Sequence, residues 1–143
     1  YIPVTGDCTI VARILTCDSN GSHPAAQGGV VIRESLAPGA KEMTLMHRKN
    51  GYLWYQSHYR VTTDGAISSP YVTAAALPAW LKVVRSGSTM LSYYSSNGTD
   101  WTQHQSRTIT MGSTAYVGLA MTEQRAQTGT RTATFDNVSI TTP

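Results

Sequence analysis

Apolar and polar residues alternate through most of this 143-residue chain, and short polar breaks reset the phase. That period of two predicts strands over 8–16, 28–35, 42–48, 52–60, 79–85, 89–95, 101–109, 115–123 and 131–141. The breaks are Asp18-Ser-Asn-Gly-Ser22, Ala37-Pro38-Gly39, Lys49-Asn50-Gly51, Ser86-Gly87-Ser88 and Ser96-Asn97-Gly98, all rich in turn-forming residues. Asn50-Gly51 and Asn97-Gly98 favour primed hairpin turns, in which both central residues reach positive φ. The longest stretch outside the pattern, 62–78, holds Asp64-Gly65 and two prolines. No stretch longer than one turn has helical spacing. Nine short strands at these intervals predict an all-β sandwich or barrel.

One hairpin allows faces to be assigned. If Gly87-Ser88 is the turn, residues whose numbers sum to 175 face each other across it. Leu81, Val83, Met90, Ser92 and Tyr94 then share one face, and Trp80, Lys82, Val84, Leu91, Tyr93 and Ser95 share the other. Lysine is rarely fully buried, so the first set is the expected core and the second an outer face. Taking Asn97-Gly98 as the next turn places Trp101 in the core with Tyr94, and Thr102 beside Tyr93.

Composition narrows the class. Charged residues are 13% of the chain, about half the usual share, and Thr with Ser makes up about a quarter. Few Lys and Leu with many Thr, Tyr and Gly argue for strands over helices. The net charge of +3 and pI near 9.0 come from basic residues scattered along the chain. A nucleic-acid footprint would show a clustered stripe, so no nucleic-acid partner is expected. No apolar run reaches about 18 residues, which excludes a membrane-spanning helix. Opening at Tyr1 without Met reads as a processed or excised chain, and the hydroxyl-rich, lysine-poor composition points outside the cell.

The familiar catalytic signatures are missing: no Cys-x-x-Cys, His-Glu-x-x-His, Gly-x-Ser-x-Gly or phosphate-binding glycine loop occurs. The eight carboxylates are Asp7, Asp18, Glu34, Glu42, Asp64, Asp100, Glu123 and Asp136, and they form no closely spaced pair of the kind glycoside hydrolysis needs. The four histidines, 23, 47, 58 and 104, are dispersed. No catalytic site, metal site or cofactor is therefore expected, while a structural Ca²⁺ is left open. Aromatic residues carry more information, because sugar rings stack on Tyr and Trp while polar neighbours bind the hydroxyls. In Gly51–Tyr59 the alternation sets Tyr52 and Trp54 against Leu53, Tyr55, Ser57 and Tyr59. Trp54 and Trp101 read as core; Tyr55, Tyr59, Trp80 and Tyr93 read as candidates for an outer contact surface. An exposed aromatic strip also suits a protein contact.

Cys8 and Cys17 are separated by nine steps of a predicted strand, roughly 30 Å when extended. A disulfide needs Cα atoms within about 7 Å, so an intramolecular bridge would require the strand to fold back. Unpaired thiols, or bridges to another chain, are the expected states. The sequons at Asn20, Asn97 and Asn137 are explained, for the first two, by turn chemistry alone.

Six segments in order resemble a known family: Val4-Thr-Gly-Asp-Cys-Thr-Ile-Val-Ala-Arg13, Gly29-Val-Val-Ile-Arg-Glu-Ser-Leu36, Trp80-Leu-Lys-Val-Val-Arg-Ser-Gly87, Tyr93-Tyr-Ser-Ser-Asn-Gly-Thr-Asp-Trp101, Tyr116-Val-Gly-Leu-Ala120 and Ala133-Thr-Phe-Asp-Asn-Val-Ser139. They look like the concanavalin A-like, laminin-G-like β-sandwich modules of secreted bacterial proteins. The resemblance implies an antiparallel two-sheet jelly-roll sandwich over 1–143, often appended to polysaccharide-degrading enzymes or cell-surface proteins. It also implies two departures. Such modules carry another two or so strands before the segment matching Tyr1, and often a cysteine near the position of Arg131. A missing strand would expose a sheet edge or core groove that a neighbouring copy could fill.

Together these readings predict a non-catalytic extracellular or cell-surface module that binds a polysaccharide or glycan. The residues assigned to the contact are Tyr93 and Lys82, supported by Trp80, Tyr55, Tyr59 and Arg33. Arg33 would be a fixed fork for hydroxyls or uronate carboxylates. The alternative is a structural module that assembles with copies of itself, or within a parent multidomain protein, with Cys8 or Cys17 at the joins.

Overall fold

The computed structural model describes residues 1–19, 26–48, 53–123 and 130–143. Within them lie strands β1 (Ile2–Thr5), β2 (Cys8–Ser19), β3 (Ala26–Arg33), β4 (Glu42–Arg48), β5 (Trp54–Gln56), β6 (Tyr59–Arg60), β7 (Tyr71–Thr73), β8 (Ala79–Ser86), β9 (Thr89–Ser95), β10 (Thr102–Thr108), β11 (Thr114–Glu123) and β12 (Arg131–Thr141). The turns expected at Asn20 and at Asn50-Gly51, the residue Tyr52 and His23 lie outside the described residues.

Two antiparallel sheets face each other. The larger runs β1-β11-β3-β4-β5-β7, with β6 also paired to β4; the smaller runs β10-β9-β8-β2-β12. The molecule is thus a two-sheet sandwich, one of the two architectures the alternation leaves open and the one the resemblance implies. Alternate residues fill the space between: Ile10, Ala12, Ile14, Leu81, Val83 and Met90 from one sheet, and Val30, Ile32, Met43, Leu45 and Val117 from the other, all fully buried. Gly28 points into the same space, where a Cβ would stand 2.9 Å from both Ala133 Cβ and Ile14 Cδ1. The strands missed by the periodicity, β1 and β7, have only four and three residues and sit at the two edges of the larger sheet. Pro3 is tolerated in β1 because an edge strand has ladder positions without a partner.

Bulges redirect two stretches. Ile14 faces Phe135 and Thr16 faces Thr134, so Leu15 is an extra residue in β2. An inserted residue reverses the facing of everything beyond it. Cys8 and Cys17, which differ in parity, therefore both point inward. A second irregularity, between Asp136 and Ser139, contains Asn137 with φ of 48°.

The β8–β9 hairpin has the expected register, with Lys82 opposite Tyr93 and Leu81 opposite Tyr94. The next connection differs. Asn97 Oδ1 accepts the backbone N–H groups of Thr99 and Asp100, each at 2.9 Å, and this longer loop replaces the two-residue turn. Thr102 consequently pairs with Tyr94 and Gln103 with Tyr93, one residue away from expectation. A one-residue slip exchanges faces. Trp101 leaves the core and joins Lys82 outside.

Candidate functional site

The structure brings three of the expected contact residues together on the outer face of the smaller sheet. Trp80, Lys82 and Tyr93 sit on adjacent strands, joined by Trp101. Lys82 Nζ lies 4.0 Å from the Trp101 ring centre and 4.7 Å from that of Tyr93, and burial pushes the ammonium's pKa down. Arg13 stands opposite Trp80 in the ladder with its guanidinium 5.7 Å from the ring. That guanidinium is held by Asp136, with Nε donating to Oδ1 at 2.7 Å and Nη2 to Oδ2. Another part of the Trp80 ring lies so close to Gly98 that a Cβ there would be 2.7 Å away. Cations and backbone already occupy these rings, so cation–π attraction serves the sheet's own packing.

Tyr55 and Tyr59 are elsewhere. Tyr55 is 2% exposed and stacks on Tyr94 between the sheets, with ring centres 4.3 Å apart. A contact role for Tyr55 is thereby corrected, since the inward pleat of β5 seals its ring from solvent. Tyr59 is half-buried against the core, with the Arg107 guanidinium 4.7 Å from its ring centre. Cys8 and Cys17 are each 2% exposed, and no disulfide joins them. Burial raises the Cys8 thiol pKa, which disfavours the reactive thiolate. A bridge to another chain would require β2 to open.

Arg33 belongs to a different surface, the outer face of the larger sheet. There Val31 and Arg33 of β3, Glu42, Thr44 and Met46 of β4, and Ala120 and Thr122 of β11 line a cleft of about 300 Å³. His58 and Ile67, from the connections after β5 and β6, close one side. Arg33 and Glu42 are cross-strand partners, and Glu42 also neighbours Arg60. Each guanidinium is 3.9 Å from a Glu42 oxygen. Arg60 donates to the carbonyls of Pro38, Ala40 and Gly65, and so ties both loops to the cleft.

A buried polar network fixes His58. Its Nε2 meets Gln27 Oε1 at 2.8 Å, and Gln27 Nε2 donates to Gln56 Oε1 at 2.8 Å. Gln56 in turn donates to the Ser69 carbonyl, so the Gln27 oxygen is the acceptor and His58 carries its proton on Nε2. Nδ1 then accepts from the Ser69 hydroxyl at 2.9 Å. Burial lowers the His58 pKa and keeps the ring neutral. Further along this face Trp54 stacks on Tyr71, with ring centres 4.1 Å apart and planes 21° from parallel. The Arg48 guanidinium lies 4.9 Å from the Trp54 ring centre, and Tyr71 is 55% exposed. Trp54 is therefore half-buried on the outside, not core as the sequence reads it.

Sequence reasoning passes over Glu42, His58 and Tyr71. For Glu42 a signal exists: the β3–β4 pairs all sum to 75, so the numbering argument used for β8–β9 would have set Arg33 opposite Glu42. Among the described residues no group of three or more His, Cys, Asp or Glu is placed to hold a metal.

No family model matches the chain, and no curated protein matches it in sequence. Solved structures are similar in fold. A functionally unknown protein from Saccharomyces cerevisiae superposes with a TM-score of 0.78 at 16% identity, over 99% of this chain and 72% of that one. The GH43 protein BlXynB from Bacillus licheniformis gives a TM-score of 0.72 at 18% identity, over 94% of this chain. A mutant of the same protein gives 0.66 at 16% identity. The chain spans 27% of the length of BlXynB. At these identities the likeness is one of fold.

Proposed function

We propose that this chain is a non-catalytic, extracellular carbohydrate-binding module, and that it binds through the outer face of its larger sheet. The observation that carries the reading is the cleft itself: a concavity of about 300 Å³ with an apolar floor and a charged pair, Arg33 and Glu42, converging on it. Concave sites with few placed polar groups are the general form of small-ligand sites. The stacked Trp54–Tyr71 pair on the same face offers an exposed ring for a sugar's C–H surface. Fold similarity to a quarter of a GH43 protein supports a carbohydrate setting, and the hydroxyl-rich composition supports a place outside the cell.

Affinity electrophoresis in polysaccharide gels, followed by calorimetry on the retarding glycan, tests the reading. Tyr71→Ala should weaken binding about ten-fold or more, the loss of one stacking contact with its buried area. Tyr93→Ala should leave it unchanged. The opposite ranking would move the site to the Lys82 cluster, and no retardation in any glycan would overturn the reading.

A second reading, a structural module that assembles with its own copies, keeps one supporting observation. Tyr1, Ile2, Leu119 and Val138 are exposed around an apolar groove between β1–β11 and β12, beside two sheet edges.

A further inference from the structure

We infer that the Arg33–Glu42 cleft recognises a neutral sugar through a pair of adjacent hydroxyls and discriminates against uronic acids. The inference rests on the carbohydrate-binding reading and specifies its ligand.

Most polar groups at the cleft already have their bonds made. Thr44 Oγ1 is taken by the backbone N–H and carbonyl of His58. Both His58 nitrogens are occupied by Gln27 and Ser69. Arg60 donates from Nε and Nη1 to three loop carbonyls and is not part of the cleft lining. Lys41 is engaged by Glu34 at 2.9 Å and by the Thr110 carbonyl. What remains is Arg33 and Glu42, with the neutral Thr122 hydroxyl at the β11 side. Arg33 Nη2 donates to the Ala37 carbonyl, while Nε is buried with no hydrogen-bond partner. The Glu42 carboxylate is 3.9 Å from both guanidiniums, too far for a hydrogen bond. Nε is closed off from the cleft, so the donors left for a ligand are the unused Nη N–H groups of Arg33.

An acceptor and a donor side by side fit a group that can both give and take. A hydroxyl does so: one can donate to Glu42 while its neighbour accepts from the unused Nη N–H groups of Arg33. A uronate carboxylate only accepts, and reaching Arg33 brings it beside the Glu42 carboxylate, where like charges repel. Arg60 is not among the residues lining the cleft, so Arg33 is the cation that a ligand there meets. The walls agree, since Val31, Met46, Ile67 and Ala120 suit the C–H face of a pyranose. Arg33 thus serves hydroxyls, which resolves the choice its position in the sequence left open.

The test is calorimetry of the unmodified chain with xylohexaose, cellohexaose and mannohexaose against oligogalacturonate and oligomeric alginate at low salt. At least one neutral oligomer should bind, and each acidic oligomer should bind ten-fold more weakly or not at all. Glu42→Gln should weaken the neutral ligand about ten-fold and narrow the gap to the acidic ones, since a hydrogen bond to a charged acceptor is the stronger kind. Tighter binding of an acidic oligomer overturns this inference and leaves the carbohydrate reading standing. So does neutral binding that Glu42→Gln does not alter while near-ultraviolet dichroism stays native. Failure of every oligomer to bind overturns both.

Discussion

Single side chains in this protein are settled by what covers them, and the histidines show it. His47 is fully buried, with Nε2 on the Ala75 carbonyl at 2.9 Å and its ring edge-on to Tyr55. Burial lowers the pKa of His47, His58 and His104 below the ordinary 6.5, and Arg107 adds to the effect at His104. The unfolded chain then takes up protons first as pH falls. Stability is retained above about pH 6.5 and lost progressively below it. Melting from pH 7 to pH 5 should lower Tm by several degrees, and His47→Gln should flatten that slope even if it lowers Tm overall. A Tm independent of pH over this range would show that these rings are not buried neutral. Asp136 behaves differently. The Arg13 guanidinium holds its carboxyl below the usual 3.8, so its contribution survives until much lower pH.

Strands are decided by phase, and phase is decided by single insertions. The alternation in the sequence locates nine strands that the structure contains, with 52–60 divided into β5 and β6. It also gives the β8–β9 register, because a two-residue turn leaves no freedom. It fails where a loop adds a residue. Leu15 turns Cys17 inward, and the Asn97 loop turns Trp101 outward. Neither insertion has a hydrophobic signature; the Asn97 loop is held by a side-chain oxygen accepting backbone N–H groups. Gly28 marks a close approach of β3 to the opposite sheet. Gly28→Val should cost about 1–3 kcal/mol as the sheets are forced apart, measured by the urea midpoint. An unchanged midpoint would mean that the sheets yield there.

At the scale of the molecule the two sheets present two unlike outer faces. The smaller sheet covers its aromatic rings with its own cations, while the larger sheet carries the cleft and the Tyr71 platform. The set Trp80, Lys82, Tyr93, Tyr55, Tyr59 and Arg33 is divided among those faces and the core. With both thiols buried and no bridge between them, the mass in solution and Tm should be indifferent to reductant. Sizing-column light scattering at rising concentration, with and without dithiothreitol, measures this. A reductant-sensitive oligomer would restore the cysteine-joined assembly. A reductant-insensitive one would point to the apolar groove beside β1 and β12.

The sequence by itself determined the all-β class, most strands, the β8–β9 register and the core face of that hairpin. Those follow from local periodicity and turn chemistry, which act between near neighbours. Only the tertiary structure decided which outer face is hollow and which side chains there are left with bonds to make. That depends on residues distant in the chain: β11 laid beside β3, the 57–70 connections folded over β4, and Arg60 tying loops together. Arg33 was legible as a candidate, but its meaning came from Glu42 across the ladder and from Thr44 and His58, whose capacities are already used.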